Sequence, residues 1–177
     1  AVAVELLDAL PVHRVGRRAG RLTEIGVGLD GERRLVECEV DPLPEVLSMA
    51  EVYGAAPGEG DVAEVCPAMA IEIGRIADCI ERGFLVIVDY GHEAAELYHP
   101  SRSRGTLLAY HRHRTSERFL ERVGRQDLTA HVNFTALDDA ARRVGLTRLG
   151  RTTQDRFLVG QGTLAPLGER APGRWRE

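Results

Sequence analysis

Gly83-Phe84-Leu85-Val86-Ile87-Val88-Asp89-Tyr90-Gly91 is the stretch whose reading decides the fold class. From Phe84 to Val88 five apolar residues run without a polar interruption, two of them valine and one isoleucine, the pattern of a strand buried on both faces of a parallel sheet. Asp89, Tyr90 and Gly91 then fall at the strand's carboxyl end, where open α/β sheets hold their ligands. The plainer reading is that Asp89 caps the next segment and Gly91 turns the chain. Both readings stand on the strand alone.

Working outward, Ala70, Ile73, Ile76, Ala77 and Ile80 recur at helical spacing behind Pro67, a residue suited to a helix first turn, with Gly83 as the stop. A helix feeding a buried strand is the α/β unit. Further upstream the signal changes to alternation. Ile25, Val27 and Leu29 on one arm and Val36, Cys38 and Val40 on the other, with Asp30-Gly31 between them, predict a β-hairpin over 22–40 with one face on the body and positive φ at the Asp-Gly turn. Pro44 to Tyr53 reads as a short helix, and Gly54 to Asp61 as a loop.

Downstream, Thr115 to Val123 reads as a helix, and Gln126 to Phe134 has no clear period. Thr135 with Asp138 resembles a capping box for a helix running to Val144 and stopped by Gly145. Leu146 to Arg151 suits a strand and Thr153 to Val159 a last helix, and the stretch 162–177, with its prolines and glycines, reads as a loosely ordered tail. At the other end, Ala1 to Val4 reads as the end of a strand. Glu5 and Asp8 follow it, three residues apart, so that in a short helix they share a face. A solvated pair of acids at a helix start is the plainer account of them.

The 177 residues suit one domain with a sizeable core. Hydrophobic residues make up 44% and charged residues 28%, which places the chain among globular proteins rather than disordered ones. No apolar run approaches the roughly twenty residues of a membrane span, and the expected setting is intracellular. Cys38, Cys66 and Cys79 are odd in number and set among apolar residues, so they read as small buried side chains. A formal net charge of −4 argues against a general nucleic-acid binder. Between Arg102 and Arg125, however, seven arginines stand against Glu117 and Glu121, a local excess suited to an acidic protein partner or to a solvated, self-paired face. His111-Arg112-His113 lacks a third ligand at metal spacing, so no metal site is assigned. There is no G-x-S-x-G elbow or Walker loop either.

Taken in series, five segments resemble the MidA-like family of class I S-adenosylmethionine-dependent methyltransferases. They are Glu5-Leu6-Leu7-Asp8-Ala9-Leu10-Pro11-Val12; Gly83 to Gly91; Arg104-Gly105-Thr106-Leu107 with Tyr110 and His113; Asp127-Leu128-Thr129-Ala130-His131-Val132-Asn133-Phe134; and Thr153-Gln154 with Phe157-Leu158. The resemblance covers roughly residues 1 to 160. It implies an α/β fold, a Rossmann-like class I methyltransferase sheet that is partial here and carries an inserted β-hairpin. Residues 1–161 would form the carboxyl-terminal part of such a domain, ahead of the tail 162–177.

Mitochondrial members of that family assist assembly of respiratory complex I as protein arginine methyltransferases. The resemblance therefore implies S-adenosyl-L-methionine as cofactor, a protein substrate such as a respiratory-complex subunit, and a cytoplasmic setting, or the mitochondrial matrix in a eukaryote. Carried over residue by residue, Glu5 and Asp8 would be the catalytic acids, bordering the cleft between cofactor and substrate. Asp89, Tyr90 and Gly91 would line the neighbouring strand end, and Arg104, Gly105 and Thr106 with Thr129, His131, Asn133 and Phe134 would build the substrate wall. The sequence has Val4 and Asn133 where the family has Asn and Asp. The family's glycine-rich cofactor loop has no counterpart in it, so the segment alone is expected to be inactive. Val4 also leaves open a different class of function, a non-catalytic assembly or binding factor that retains the methyltransferase scaffold.

Overall fold

The computed structural model describes residues 1–160, and the expected tail 162–177 lies outside them. The chain divides into two compact units, residues 1–146 and the part from Thr147 onward. The first unit contains, in order, β1 (Val2–Val4), β2 (His13–Arg18), β3 (Arg21–Leu29), β4 (Leu35–Val40), α1 (Pro44–Tyr53), β5 (Val62–Val65), α2 (Pro67–Asp78), β6 (Val86–Val88), β7 (Gly91–His92) and α3 (Ala94–Leu97). After a 3₁₀ turn at Pro100–Arg102 come β8 (Leu108–His111), β9 (Arg114–Ser116), β10 (Asp127–Thr129), β11 (Val132–Asn133) and α4 (Phe134–Arg143). In the second unit, α5 spans Gln154–Gly160, and residues 147–153 form no strand, contrary to the expectation from Leu146 to Arg151.

The deciding stretch does form a parallel strand, with β6 pairing β1 so that Val2, Ala3 and Val4 oppose Val86, Ile87 and Val88. It is covered on one face only. Leu85 and Ile87 pack against the core of Met69 and Ile73 from α2 and Ala136, Leu137 and Ala140 from α4, whereas Val2, Val4 and Val86 are 72%, 59% and 46% exposed. Among the described residues both helices of this core lie on the Ile87 side, and burial on both faces is therefore not seen. A second parallel pair, β7 with β11, continues the same carboxyl edge.

Alternation over 22–40 does produce β3 paired with β4, and the pair belongs to a separate four-stranded antiparallel sheet ordered β4-β3-β2-β5. The register corrects the expected one-sided ribbon. Ile25 and Val27 lie opposite Glu39 and Glu37, while Val36 and Cys38 lie opposite Gly28 and Gly26, so the apolar rows of the two arms project to opposite faces. Only the β2 and β5 end of the second face is filled, by Val15, Ala63 and Val65 against Val46 and Ala50 of α1. The loop is also not an Asp-Gly turn. Asp30 closes it by accepting from the Glu32 and Arg34 N–H groups at 2.9 and 2.8 Å, and the positive φ falls on Arg33, at 62°.

The helix expected over Thr115 to Val123 is replaced by β9 and turns. Arg122 and Gly124 take left-handed φ values of 52° and 73°, and the Gln126 side chain donates to the Arg118 and Phe119 carbonyls, taking the place of helical amides. At α4 the cap is Asn133, whose Oδ1 accepts from the Ala136 N–H at 3.1 Å. Thr135, expected as the cap, instead donates to Glu93 and accepts from the Ala94 N–H.

Candidate active site

The carboxyl ends of β1 and β6 bring Glu5, Asp8, Asp89 and Tyr90 together. Glu5 leaves β1 with a left-handed φ of 47°, a conformation that a non-glycine residue holds only where its surroundings impose it. Two bonds do so here: its N–H donates to the Val88 carbonyl at 2.9 Å, and its Oε1 accepts from the Tyr90 hydroxyl at 2.6 Å. The stretch after β1 is a turn and not a helix. Asp89 ties that turn down, accepting from the Leu7 N–H through Oδ2 and from the Tyr90 N–H through Oδ1, both at 2.9 Å.

Asp8 is 5% exposed, and its Oδ1 is buried without a hydrogen-bond partner. Burial first, then the charges of Asp89 and Glu5, push its carboxyl above the usual carboxylate range. Among the described residues none of the three acids is ion-paired. An uncompensated cluster of this kind, one of its oxygens wanting a donor, suits a cation carrying N–H groups. The cluster also has a stability signature. A raised folded pKa means that the native state binds more protons than the unfolded chain, so stability is lost as pH rises from the unfolded value of about 3.9 through the folded one. Asp8→Asn is therefore expected to raise unfolding stability at pH 7, and the gain over the parent should shrink below about pH 4, as read by urea unfolding at the two pH values.

Beside the cluster lies a cavity of about 510 Å³, lined in part by Arg14, Arg104, Gly105, Thr106, Phe119 and His131. Its link to the acids is the chain itself, since the Ala130 N–H donates to the Asp8 carbonyl at 2.9 Å and the next residue, His131, is on the cavity wall. The His131 N–H donates to Thr106 Oγ1 at 3.0 Å, and its ring lies 5.2 Å from that of His92. Burial, then His92 and Arg102, hold the His131 imidazole below its usual pKa, so it is neutral at pH 7. Arg14 closes another side, ion-paired with Glu37 and stacked 4.9 Å from the Phe119 ring.

The residues singled out in the sequence thus fall into three groups. Glu5, Asp8, Asp89 and Tyr90 form the cluster, and Arg104, Gly105, Thr106 and His131 line the cavity. Gly91, Thr129, Asn133 and Phe134 sit in the framework: Gly91 and Asn133 in the β7–β11 pair, Thr129 opposite Leu108 in β10–β8, and Phe134 against the helical core. Asn133 is 6% exposed, spending Oδ1 on the helix cap and Nδ2 on the Tyr98 hydroxyl, which burial pushes up to about 12. Of the seven arginines in the basic segment, Arg104 and Arg118 pair within it, with Glu117 and Glu121, and Arg102 pairs with Glu96 outside it.

Sequence reasoning missed Arg14 and Glu64. Both occur in alternating strands, where a charged residue reads as solvent-facing until the pairing of β2 with β5 sets Arg14 opposite Glu64.

The chain resembles known proteins in both sequence and fold. Residues 1–152 match the profile of a family described as "Putative S-adenosyl-L-methionine-dependent methyltransferase". The chain is 30% identical over 169 residues to a mitochondrial protein arginine methyltransferase, NDUFAF7, of Xenopus tropicalis and 29% identical over 167 residues to that of Danio rerio, covering 91% of this chain and 36% of each relative. It therefore spans about a third of the length of these curated relatives. A crystal structure of a Burkholderia thailandensis protein bound to S-adenosyl-homocysteine superposes with a TM-score of 0.87 at 34% identity, covering 97% of this chain and 44% of that one. That likeness bears out the α/β, Rossmann-like sheet with its insertion. With the profile spanning most of its length, the chain belongs to this family of S-adenosyl-L-methionine-dependent methyltransferases.

Proposed function

We propose that this chain is part of an S-adenosyl-L-methionine-dependent methyltransferase that modifies arginine side chains of a protein. The observation that carries the reading is the unpaired cluster of Glu5, Asp8 and Asp89 at the ends of two parallel strands, with a buried Asp8 oxygen lacking a donor. S-adenosylmethionine, when bound, supplies a methyl group on a positively charged sulfur, and both that charge and a guanidinium are the kind of group this cluster accommodates. Tyr90 occupies one oxygen of Glu5, so Glu5 and Asp8 would each offer an oxygen to a guanidinium held between them. A guanidinium is protonated at neutral pH and must give up a proton as the new N–C bond forms. The raised pKa of Asp8 suits it to receive that proton. Positioning of the nitrogen supplies most of the rest. The names of the curated relatives, protein arginine methyltransferases, support an arginine acceptor.

The test uses the full-length protein with methyl-labelled S-adenosylmethionine and a protein lysate, followed by acid hydrolysis. The expected result is label in methylarginine, together with S-adenosylhomocysteine binding by calorimetry. Label confined to lysine would overturn the arginine reading. A folded protein that binds no S-adenosylhomocysteine would favour the non-catalytic scaffold, to which the exposed Val4 at the strand end lends weight.

A further inference from the structure

Glu64, in β5, is one of three buried polar or charged residues among the described residues, and it lies outside the acidic cluster. Its Oε2 accepts from the Thr106 N–H at 2.8 Å and from Thr106 Oγ1 at 3.3 Å. Gly105 lies directly against it. With φ at +71°, Gly105 leaves no room for a side chain, since a Cβ there would fall 2.6 Å from Glu64 Oε2 and 2.7 Å from Cδ. The same Thr106 hydroxyl accepts from the His131 N–H, and the residue before His131 donates to the Asp8 carbonyl. On its other side Glu64 is fixed through its backbone carbonyl, which accepts from the Tyr98 hydroxyl at 3.0 Å. A buried carboxylate is costly unless it is bonded; Oε1 has no hydrogen-bond partner, and the bonds of Oε2 run from the inserted sheet to the acid-bearing turn through one loop.

We infer that Glu64 is a positioning residue for the substrate wall, and that its carboxylate sets the backbone of Gly105 to Leu107 and, through the Thr106 hydroxyl, the place of His131 relative to Asp8. This rests on the methyltransferase reading, with the wall receiving the polypeptide that flanks the target arginine. The Glu64 carboxylate bonds to Thr106 and to none of Glu5, Asp8, Asp89 and Tyr90, so its effect belongs in acceptor binding and not in cofactor binding. Replacing the carboxylate by an amide of the same shape keeps the packing and removes the charge from two hydrogen bonds.

The experiment compares Glu64→Gln with the parent in the full-length protein by amide hydrogen exchange, S-adenosylhomocysteine calorimetry and transfer to a Gly-Arg-Gly peptide. Exchange at Thr106, Leu107 and His131 is expected to quicken about tenfold while exchange at Ile73 in the core is unchanged. The KM for peptide should rise about tenfold, with kcat and S-adenosylhomocysteine affinity held within about twofold. Thr106→Val, which removes only the hydroxyl link, should reproduce the effect at His131, so the inference does not depend on Glu64→Gln folding well. Unchanged exchange at these three amides, a uniform rise across the protein, or a parallel loss of S-adenosylhomocysteine affinity would each overturn it. Absence of methyl transfer by the parent would count against the function and leave the exchange result to decide the role of Glu64.

Discussion

Glu5→Gln in the full-length protein is expected to lower kcat/KM for arginine methylation by about 100-fold or more, while S-adenosylhomocysteine binding changes by less than about threefold. Position 5 keeps its left-handed backbone, because the bond from its N–H to the Val88 carbonyl does not involve the side chain. The amide still offers an oxygen to the Tyr90 hydroxyl. What is lost is one negative charge of a cluster that is not paired within the described chain. A charge-assisted bond to a guanidinium is worth about 1.5–3 kcal/mol, and more where solvent is excluded, so a loss near 3 kcal/mol corresponds to about two decades in rate. Tyr90→Phe gives the graded control. It frees Glu5 Oε1 without removing charge, so its effect on transfer should stay within about tenfold. Equal rates for Glu5→Gln and the parent would remove Glu5 from the acceptor site. Parallel losses of cofactor affinity and of rate would assign Glu5 to the cofactor instead.

Gly91→Ala should destabilise the protein by about 3 kcal/mol or more, with a fall in Tm of roughly 10 °C. Gly91 has no unusual φ. The constraint is contact: a Cβ there would overlap the Val132 carbonyl oxygen and lie 2.9 Å from its carbon and 3.0 Å from the Val132 Cβ. These are mostly backbone atoms of the neighbouring strand, so no rotamer change relieves the overlap, and relief means parting β7 from β11. That pair also places Asn133, the cap of α4, and the Val132 N–H that donates to the Tyr90 carbonyl at 2.8 Å. The loss should therefore reach both helix and acid cluster. Gly74, inside α2 with open space where a Cβ would sit, is the contrast. Gly74→Ala should stabilise by about 0.5–1 kcal/mol, because it only removes backbone freedom. Thermal and urea unfolding of the two variants side by side reads the difference, and a Gly91→Ala protein as stable as the parent would mean that the strands part without cost.

Much of the fold is legible in local order. The apolar run before Asp89 specifies a parallel strand because β-branched residues suit the pleated chain and the period excludes an amphipathic helix. Alternation over 22–40 specifies paired strands for the same kind of reason, and Pro67 marks where α2 begins. The acid cluster was legible too, because Glu5, Asp8 and Asp89 lie next to strand ends in the chain, and strand ends that run in parallel are brought side by side.

Other features were decided only by tertiary structure. Which face each hairpin arm presents depends on register, and register depends on the loop that Asp30 closes and on the pairing of β2 with both β3 and β5. Asn133 and Phe134 sit in a segment that reads as substrate wall, but a helix needs a cap and a core needs an aromatic, and packing assigned them there. Gly91 reads in sequence as a turn residue, yet its requirement comes from Val132, about forty residues away. Glu64 is the clearest case. In Val-Ala-Glu-Val it occupies what local alternation marks as the outer face of a strand, and only the loop at Gly105 and Thr106, folded over it from the far side of the chain, makes that position buried. Sequence fixes the period of burial along each strand, whereas which side of the strand is covered depends on non-local contacts that no local pattern contains.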